Sequence, residues 1–264
     1  MKKHLLITAA ALASLMLAKA QAPADVQAVD LGLPSGLYWA SCNLGATTPE
    51  DYGDYYAWGE TTTKADYSSA TYKYANGAEN KLTKYCTDAS YGNNGFTDDK
   101  TTLDPADDAA YVNWGEEWRM PTDAEWTELR TQCTWTWTTQ NGVNGYQVAS
   151  QTNSNSIFLP AAGLRYDTYL SLAAGSFGYY RSSLLYANLP YDAWSLDFYS
   201  DYVDRGISYR HNGLSVRPVQ SGTGTGIGCT AAADTATARK ILRNGQVLIE
   251  REGKTYTLTG VEVE

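Results

Sequence analysis

The clearest hydrophobic and polar pattern in the chain lies between residues 118 and 133. Trp118-Arg119-Met120-Pro121 leads into Thr122-Asp123-Ala124-Glu125-Trp126, and Trp126, Leu129 and Cys133 then recur at helical spacing. Thr122 followed by Glu125 is a capping-box signature. Pro121 keeps Met120 extended, so the chain is predicted to arrive as a strand and turn sharply into a helix. Thr134 to Thr138 alternates strictly and predicts a strand, Asn141-Gly142 and Asn144-Gly145 mark a turn, and 145–149 and 156–160 read as two more strands. Residues 193–198 alternate again. Trp194, Leu196 and Phe198 are predicted to face the core, with Ser195, Asp197 and Tyr199 opposite. Upstream, 30–40 reads as strand, Pro-Ser-Gly turn and strand. Residues 104–112 read as a short helix with Asp104 as cap and Pro105 at its first position. Residues 61–103 show little period and read as a long surface excursion.

The two ends differ from this body. Lys2, Lys3 and His4 precede an apolar run from Leu5 to Ala18 and the small-x-small site Ala18-Lys19-Ala20, which reads as a signal peptide over 1–20. The run is too short to span a membrane comfortably. No other long apolar run exists, so the mature chain is not expected to be transmembrane. Residues 220–238 are Gly, Thr and Ala with little bulk, and read as a linker. The last segment, 239–264, predicts a small three-stranded unit around an Asn244-Gly245 turn.

Composition narrows the functional classes. The 264-residue chain has a formal net charge of −9 and no basic cluster, which argues against nucleic-acid binding. Its 21 Tyr and 8 Trp against 4 Phe favour rings with a polar handle, the chemistry of adaptable but stiff binding faces. The four cysteines are too sparse for a disulfide scaffold. Cys42, Cys86 and Cys133 either share a single bridge or are buried free thiols, and Cys229 lies in the linker.

Several stretches together carry a resemblance. Asp30-Leu31-Gly32-Leu33-Pro34-Ser35-Gly36, then Gly53-Asp54-Tyr55-Tyr56-Ala57-Trp58-Gly59-Glu60-Thr61, then Trp118 to Trp126, then Ser215-Val216-Arg217-Pro218-Val219, resemble the Fibrobacter succinogenes major paralogous domain, common in exported proteins of the Bacteroidota. The resemblance covers residues 29–219. The Arg-Met-Pro-Thr…Glu-Trp stretch also resembles the formylglycine-generating-enzyme type of C-type-lectin-like fold. It implies an α+β domain with two helices, small twisted antiparallel sheets and long loops. The tail resembles Bacteroidota sorting segments, and Asp234-Thr235-Ala236 fits the O-glycosylation pattern of that phylum, which makes Thr235 a candidate.

Catalysis is not expected. The related enzymes carry reactive cysteines in the C-terminal half, and this chain has none between Cys133 and Cys229. His211 has no evident base or nucleophile partner, and no spacing supports a carboxylate pair such as Asp197 with Asp201. No cofactor is expected. Calcium is the one candidate ion, on Asp98, Asp99, Asp104, Asp107 and Asp108. Arg119 and Arg217 are expected to be buried and to tie loops together. The expected function is binding of a surface protein or glycan by a Tyr/Arg/Asp loop face. Its residues are Arg181, Tyr186, Tyr191, Tyr199, Asp201, Tyr202, Asp204, Arg205, Tyr209, Arg210 and His211. In some C-type-lectin-fold proteins this segment is varied by diversity-generating retroelements, and the resemblance suggests a similar displayed face. The rival expectation is a structural surface protein whose loops bind nothing specific.

Overall fold

The computed structural model describes residues 20–222, with backbone alone at 170–172, and the backbone of 239–243, 246–251, 254–256 and 262–263. Residues 1–19 of the expected signal peptide, 223–238 of the expected linker, Thr235 and Cys229 lie outside the described residues. The chain divides into two units, 1–222 and 223–264.

The first unit is α+β. In chain order it contains β1 (Ala28–Asp30), β2 (Leu37–Ala40), β3 (Tyr55–Tyr56), α1 (Ala109–Trp114), β4 (Trp118–Arg119), α2 (Asp123–Gln132), β5 (Cys133–Gln140), β6 (Val143–Ser150) and β7 (Ser156–Pro160). There follow β8 (Leu164–Tyr166), β9 (Tyr169–Leu172), β10 (Gly178–Leu185), β11 (Asp192–Tyr199), β12 (Tyr202–Tyr209), β13 (Leu214–Ser215) and β14 (Val219–Ser221). They form four small sheets, ordered β1-β2-β14-β4, β12-β11-β10-β13-β3, β5-β6-β7 and β8-β9. Pairing between these strands is antiparallel except where β10 meets β13. In the second unit β15 (Arg239–Arg243), β16 (Gln246–Arg251), β17 (Lys254–Tyr256) and β18 (Glu262–Val263) form a four-stranded sheet, one strand more than the sequence predicts.

Local signals explain most of these elements. Thr122 Oγ1 accepts from the Glu125 N–H at 3.3 Å, and the Glu125 carboxylate accepts from the Thr122 N–H at 2.7 Å, closing the capping box. The chain reaches α2 through β4, as Pro121 requires. Asn141 and Gly142 both have positive φ between β5 and β6, the I′-type backbone that an Asn-Gly pair supplies. Asn144 and Gly145 belong to β6 rather than to the turn. Residues 104–112 split in two. Pro105–Asp107 form a 3₁₀ turn, and α1 is capped by Asp108, not Asp104, through bonds from the Ala110 and Tyr111 N–H groups.

The core is two apolar clusters joined by aromatic contacts to β10. Trp126 packs on Trp39 at 4.7 Å and on Tyr180 at 5.8 Å, and its indole N–H donates to the Arg181 carbonyl. Trp58, in the other cluster, donates to the neighbouring Ser182 carbonyl. The 61–103 excursion is no surface loop. Tyr67, Tyr72, Tyr74, Leu82, Tyr85, Cys86 and Leu103 are all buried within it. Periodicity is missing there because burial is achieved by scattered tyrosines whose hydroxyls bond to carbonyls, as Tyr72 does to Trp58 and Tyr67 to Tyr55. Cys42, Cys86 and Cys133 are buried and free, which decides between the two expectations for them.

Arg217 is fully buried and joins three loops. It donates to Asn43 Oδ1 at 2.9 Å, to the Ala40 carbonyl at 3.0 Å and to the Phe158 carbonyl at 2.8 Å. Arg119 differs from expectation. It is partly exposed and forms a two-pronged pair with Glu125, at 2.6 and 2.8 Å. Urea denaturation should show Thr122→Ala losing about 1 kcal/mol. Arg217→Ala should lose roughly 3 kcal/mol or more, since each buried acceptor it orphans costs ~1–3 kcal/mol.

Candidate functional site

The structure does not gather the predicted Tyr/Arg/Asp residues on one face. It separates them into four groups. Arg181, Arg210 and His211 lie inside, at 0%, 1% and 5% exposure, so the first two are corrected from binding residues to structural ties. Arg181 donates to the carbonyls of Tyr209 at 2.7 Å and Asn212 at 2.6 Å, and burial lowers its pKa to about 10. Arg210 donates to Tyr72 Oη and to the carbonyls of Lys84, Tyr85 and Pro190, with its guanidinium 4.9 Å from the Trp58 ring. Buried backbone oxygens need such donors, and a planar five-donor group reaches several at once.

A second group lies beside α2. The Arg205 guanidinium covers Trp194 at 3.9 Å and pairs with Asp123 at 2.8 Å, Tyr186 packs edge-on to Trp194, and Asp204 pairs with Arg130 at 3.3 Å. Trp194 is therefore half-buried at this rim, although Leu196 and Phe198 are core as the alternation predicts. The opposite face of β11 is covered too, for Ser195 is buried and Asp197 lies over Gly206. The third group is the β11–β12 hairpin tip. Tyr199 stacks on Tyr202 at 5.0 Å beside the exposed Asp201.

The fourth group forms a groove. Tyr191 and Tyr209 of the predicted set meet Tyr91, which the sequence reading passed over. Tyr91 and Tyr191 pack at 5.1 Å and 63°, and Tyr191 and Tyr209 at 5.9 Å and 44°. Tyr209 also stacks on His211 at 5.1 Å and 13°. These rings border two adjoining cavities. One, of about 450 Å³, is lined by Ser69, Ala78, Glu79, Asn80 and the three tyrosines. The other, of about 300 Å³, is lined by Tyr191, Asp192, Ile207, Ser208, Tyr209 and Asn212. Both volumes fall in the range of ligand clefts, about 300–1,000 Å³. Glu79, Asn80 and Ser69 also lie in the excursion, and no local signal links them to residues 191–212. A separate hollow of about 420 Å³ lies between 20–28 and 114–118, lined by Trp114 and Trp118 together with Ala20, Ala22, Ala24 and Ala28.

Electrostatics set the groove's chemistry. Burial raises Asp192 to about 6, with Arg181 opposing and Glu79 adding to the rise. The Glu79 carboxylate holds the Tyr209 phenol above its ordinary value, with burial and Asp192 contributing. Burial lowers His211 to about 4, so it is neutral at pH 7 and its Nε2, 3.9 Å from Glu79, makes no ion pair there. Asn212 is 6% exposed, its Nδ2 donates to Ser208 Oγ at 3.2 Å, and its buried Oδ1 has no partner among the described residues.

Four of the five acidic residues proposed for calcium are engaged by other partners, and Asp104 and Asp107 share the Lys84 ammonium. Asp107 accepts from Tyr74, Tyr85, Lys73 and Lys84. Burial opposes its ionisation, but these bonds outweigh that and hold its carboxyl well below the usual range. Asp108 caps α1 and accepts from the Met120 N–H, Asp98 accepts from the Tyr85 and Cys86 N–H groups, and Asp104 pairs with Lys84 and Lys100. Asp99 sits at positive φ. Among the described residues, no three or more His, Cys, Asp or Glu side chains converge as metal ligands, and no helix is long and apolar enough to cross a membrane.

Comparison with family models, curated proteins and solved structures gave no match to this chain.

Burial also raises Asp197 to about 6, against a hydrogen bond from Ser195 and the charge of Arg181. A carboxyl whose folded pKa exceeds its unfolded value near 3.8 contributes stability below that value and loses it as pH rises through 6. Asp197→Asn keeps the neutral form at every pH. Its stability relative to wild type should therefore rise between pH 4 and pH 7 in urea denaturation. A difference that does not change with pH would contradict this account of Asp197.

Proposed function

We propose that this chain is an exported or cell-surface ligand-binding protein, and that its binding site is the Tyr91–Tyr191–Tyr209 groove. The observation that carries the reading is the convergence of three rings, from segments about a hundred residues apart in sequence, around a cleft that Glu79 and Asp192 also line. Rings with few rotatable bonds give large contact area at low entropic cost, and small polar groups between them fix orientation. The fold proposed for the scaffold is C-type-lectin-like, in keeping with two helices among small antiparallel sheets. The ligand classes proposed are a surface protein or a glycan.

Binding rather than catalysis is proposed because the groove holds no activated nucleophile. Burial raises the thiols of Cys42, Cys86 and Cys133, the last to about 11, so none is a ready thiolate at neutral pH.

Arrays of glycans and surface proteins probed with the full chain test this. Tyr191→Ala with Tyr209→Ala should weaken every specific signal by at least about tenfold. Tyr199→Ala with Tyr202→Ala should leave the signals intact. Binding that survives the first pair and is lost with the second would move the site to the hairpin tip.

A further inference from the structure

The groove holds acceptors, anionic groups and ring faces, and its lining includes no lysine or arginine. Resting on the groove being the binding site, we propose that its ligand presents an organic ammonium group, borne on an amino sugar or on a choline-type headgroup.

Three features support this, the first two of them resting on Glu79 and Asp192. The first is the acceptor set. Glu79 lines one cavity, and Asp192 and Asn212 line the other. A neutral ligand closing over Asp192 and Glu79 would strip water from two carboxylates and return no charge.

The second feature is the field. The guanidinium groups of Arg181 and Arg210 sit behind the groove and spend their bonds on backbone carbonyls. The formal charges that perturb the Tyr209 phenol are those of Glu79 and Asp192, and the same two carboxylates act on Tyr191, after burial and the neighbouring Tyr91. Both are negative, which favours a cation among the rings.

The third feature is ring orientation. With interplanar angles of 63° and 44°, the three tyrosines turn their faces in different directions around the cleft. The electron-rich ring face attracts a cation, and rings set at angles offer it more than one face, the geometry by which quaternary and primary ammonium groups are held. Ser69, Asn80 and Ser208 add neutral hydrogen-bonding groups for hydroxyls on the body that bears the charge.

Matched pairs test the charge directly. Titration calorimetry of the full chain at pH 6.5 compares the glucosamine tetrasaccharide with its N-acetylated counterpart, and choline with 3,3-dimethylbutanol, which has its shape and no charge. In at least one pair the charged member should bind at least about tenfold more tightly than the neutral one. The pair that shows it identifies the source of the ammonium. Glu79→Gln, at a half-exposed position, should cut that affinity about tenfold without shifting the melting temperature, and Tyr209→Ala should abolish the preference. Equal binding of charged and neutral members, or no binding by either charged member, overturns the proposal. A neutral or anionic array ligand lost on Tyr209→Ala would overturn it while leaving the groove as the binding site. Array signals indifferent to Tyr191 and Tyr209 would instead remove the site itself.

Discussion

Buried arginine is the constraint on which this fold depends. Most strands of the first unit are short, so much of its backbone runs in loops whose carbonyls find no ladder partner. Arg181, Arg210 and Arg217 are each at most 1% exposed, and each aims its guanidinium at carbonyls of loops and strand ends or edges rather than at a carboxylate. Burying a cation is costly, and the lowered pKa of Arg181 shows burial acting against its charge. The cost is offset because one planar group satisfies several buried oxygens that would otherwise have none. Arg217 does this for the loops after β2 and the strand β7. Arg181 does it for the turn after β12.

Arg210 has the widest reach. It holds Lys84, Tyr85 and Pro190 through their carbonyls and Tyr72 through its hydroxyl. This draws the 61–103 excursion against the segment around residue 190. The Tyr74–Tyr85–Asp107 cluster, with Lys73 and Lys84, then fixes the excursion from its other side. The meeting of Tyr91 with Tyr191 follows from these ties. The groove is thus built by polar bonds in the interior: Tyr209 ends β12 and Tyr191 directly precedes β11, while Tyr91 is carried on a turn outside helix and strand.

What could be read from the sequence was what is local. The capping box, the Pro-directed entry to α2, the Asn-Gly hairpin and the core placement of Leu196 and Phe198 in β11 depend on neighbours within a few residues, and the structure shows each, whereas Trp194 lies at the rim. The cap of α1 was misplaced by four residues because Asp104 and Asp108 both precede a first turn, the 3₁₀ turn and α1 respectively, and the bond Asp108 accepts from the distant Met120 N–H is not legible locally. The excursion was misread because tyrosine serves equally as a surface ring and as a buried one with its hydroxyl on a carbonyl. Arg181 and Arg210 were misread for the related reason that a charged residue among tyrosines looks the same whether it points outward or ties a loop. Of the groove, Tyr191 and Tyr209 were legible as candidates. Tyr91, Glu79 and Asn212 were not, since their role exists only in three dimensions.

The long reach of Arg210 also has a temporal meaning. Its partners lie 20 to 138 positions away in the chain. Contacts of such separation are slow to form, because loop closure must precede the reward. Tyr191 and Tyr209 meet across the local β11–β12 hairpin, but Tyr91 joins them only through contacts of this long range. A partly folded molecule has its helix α2 and its hairpins within reach, but the three-ring groove is complete only once the excursion is tied against the segment around residue 190.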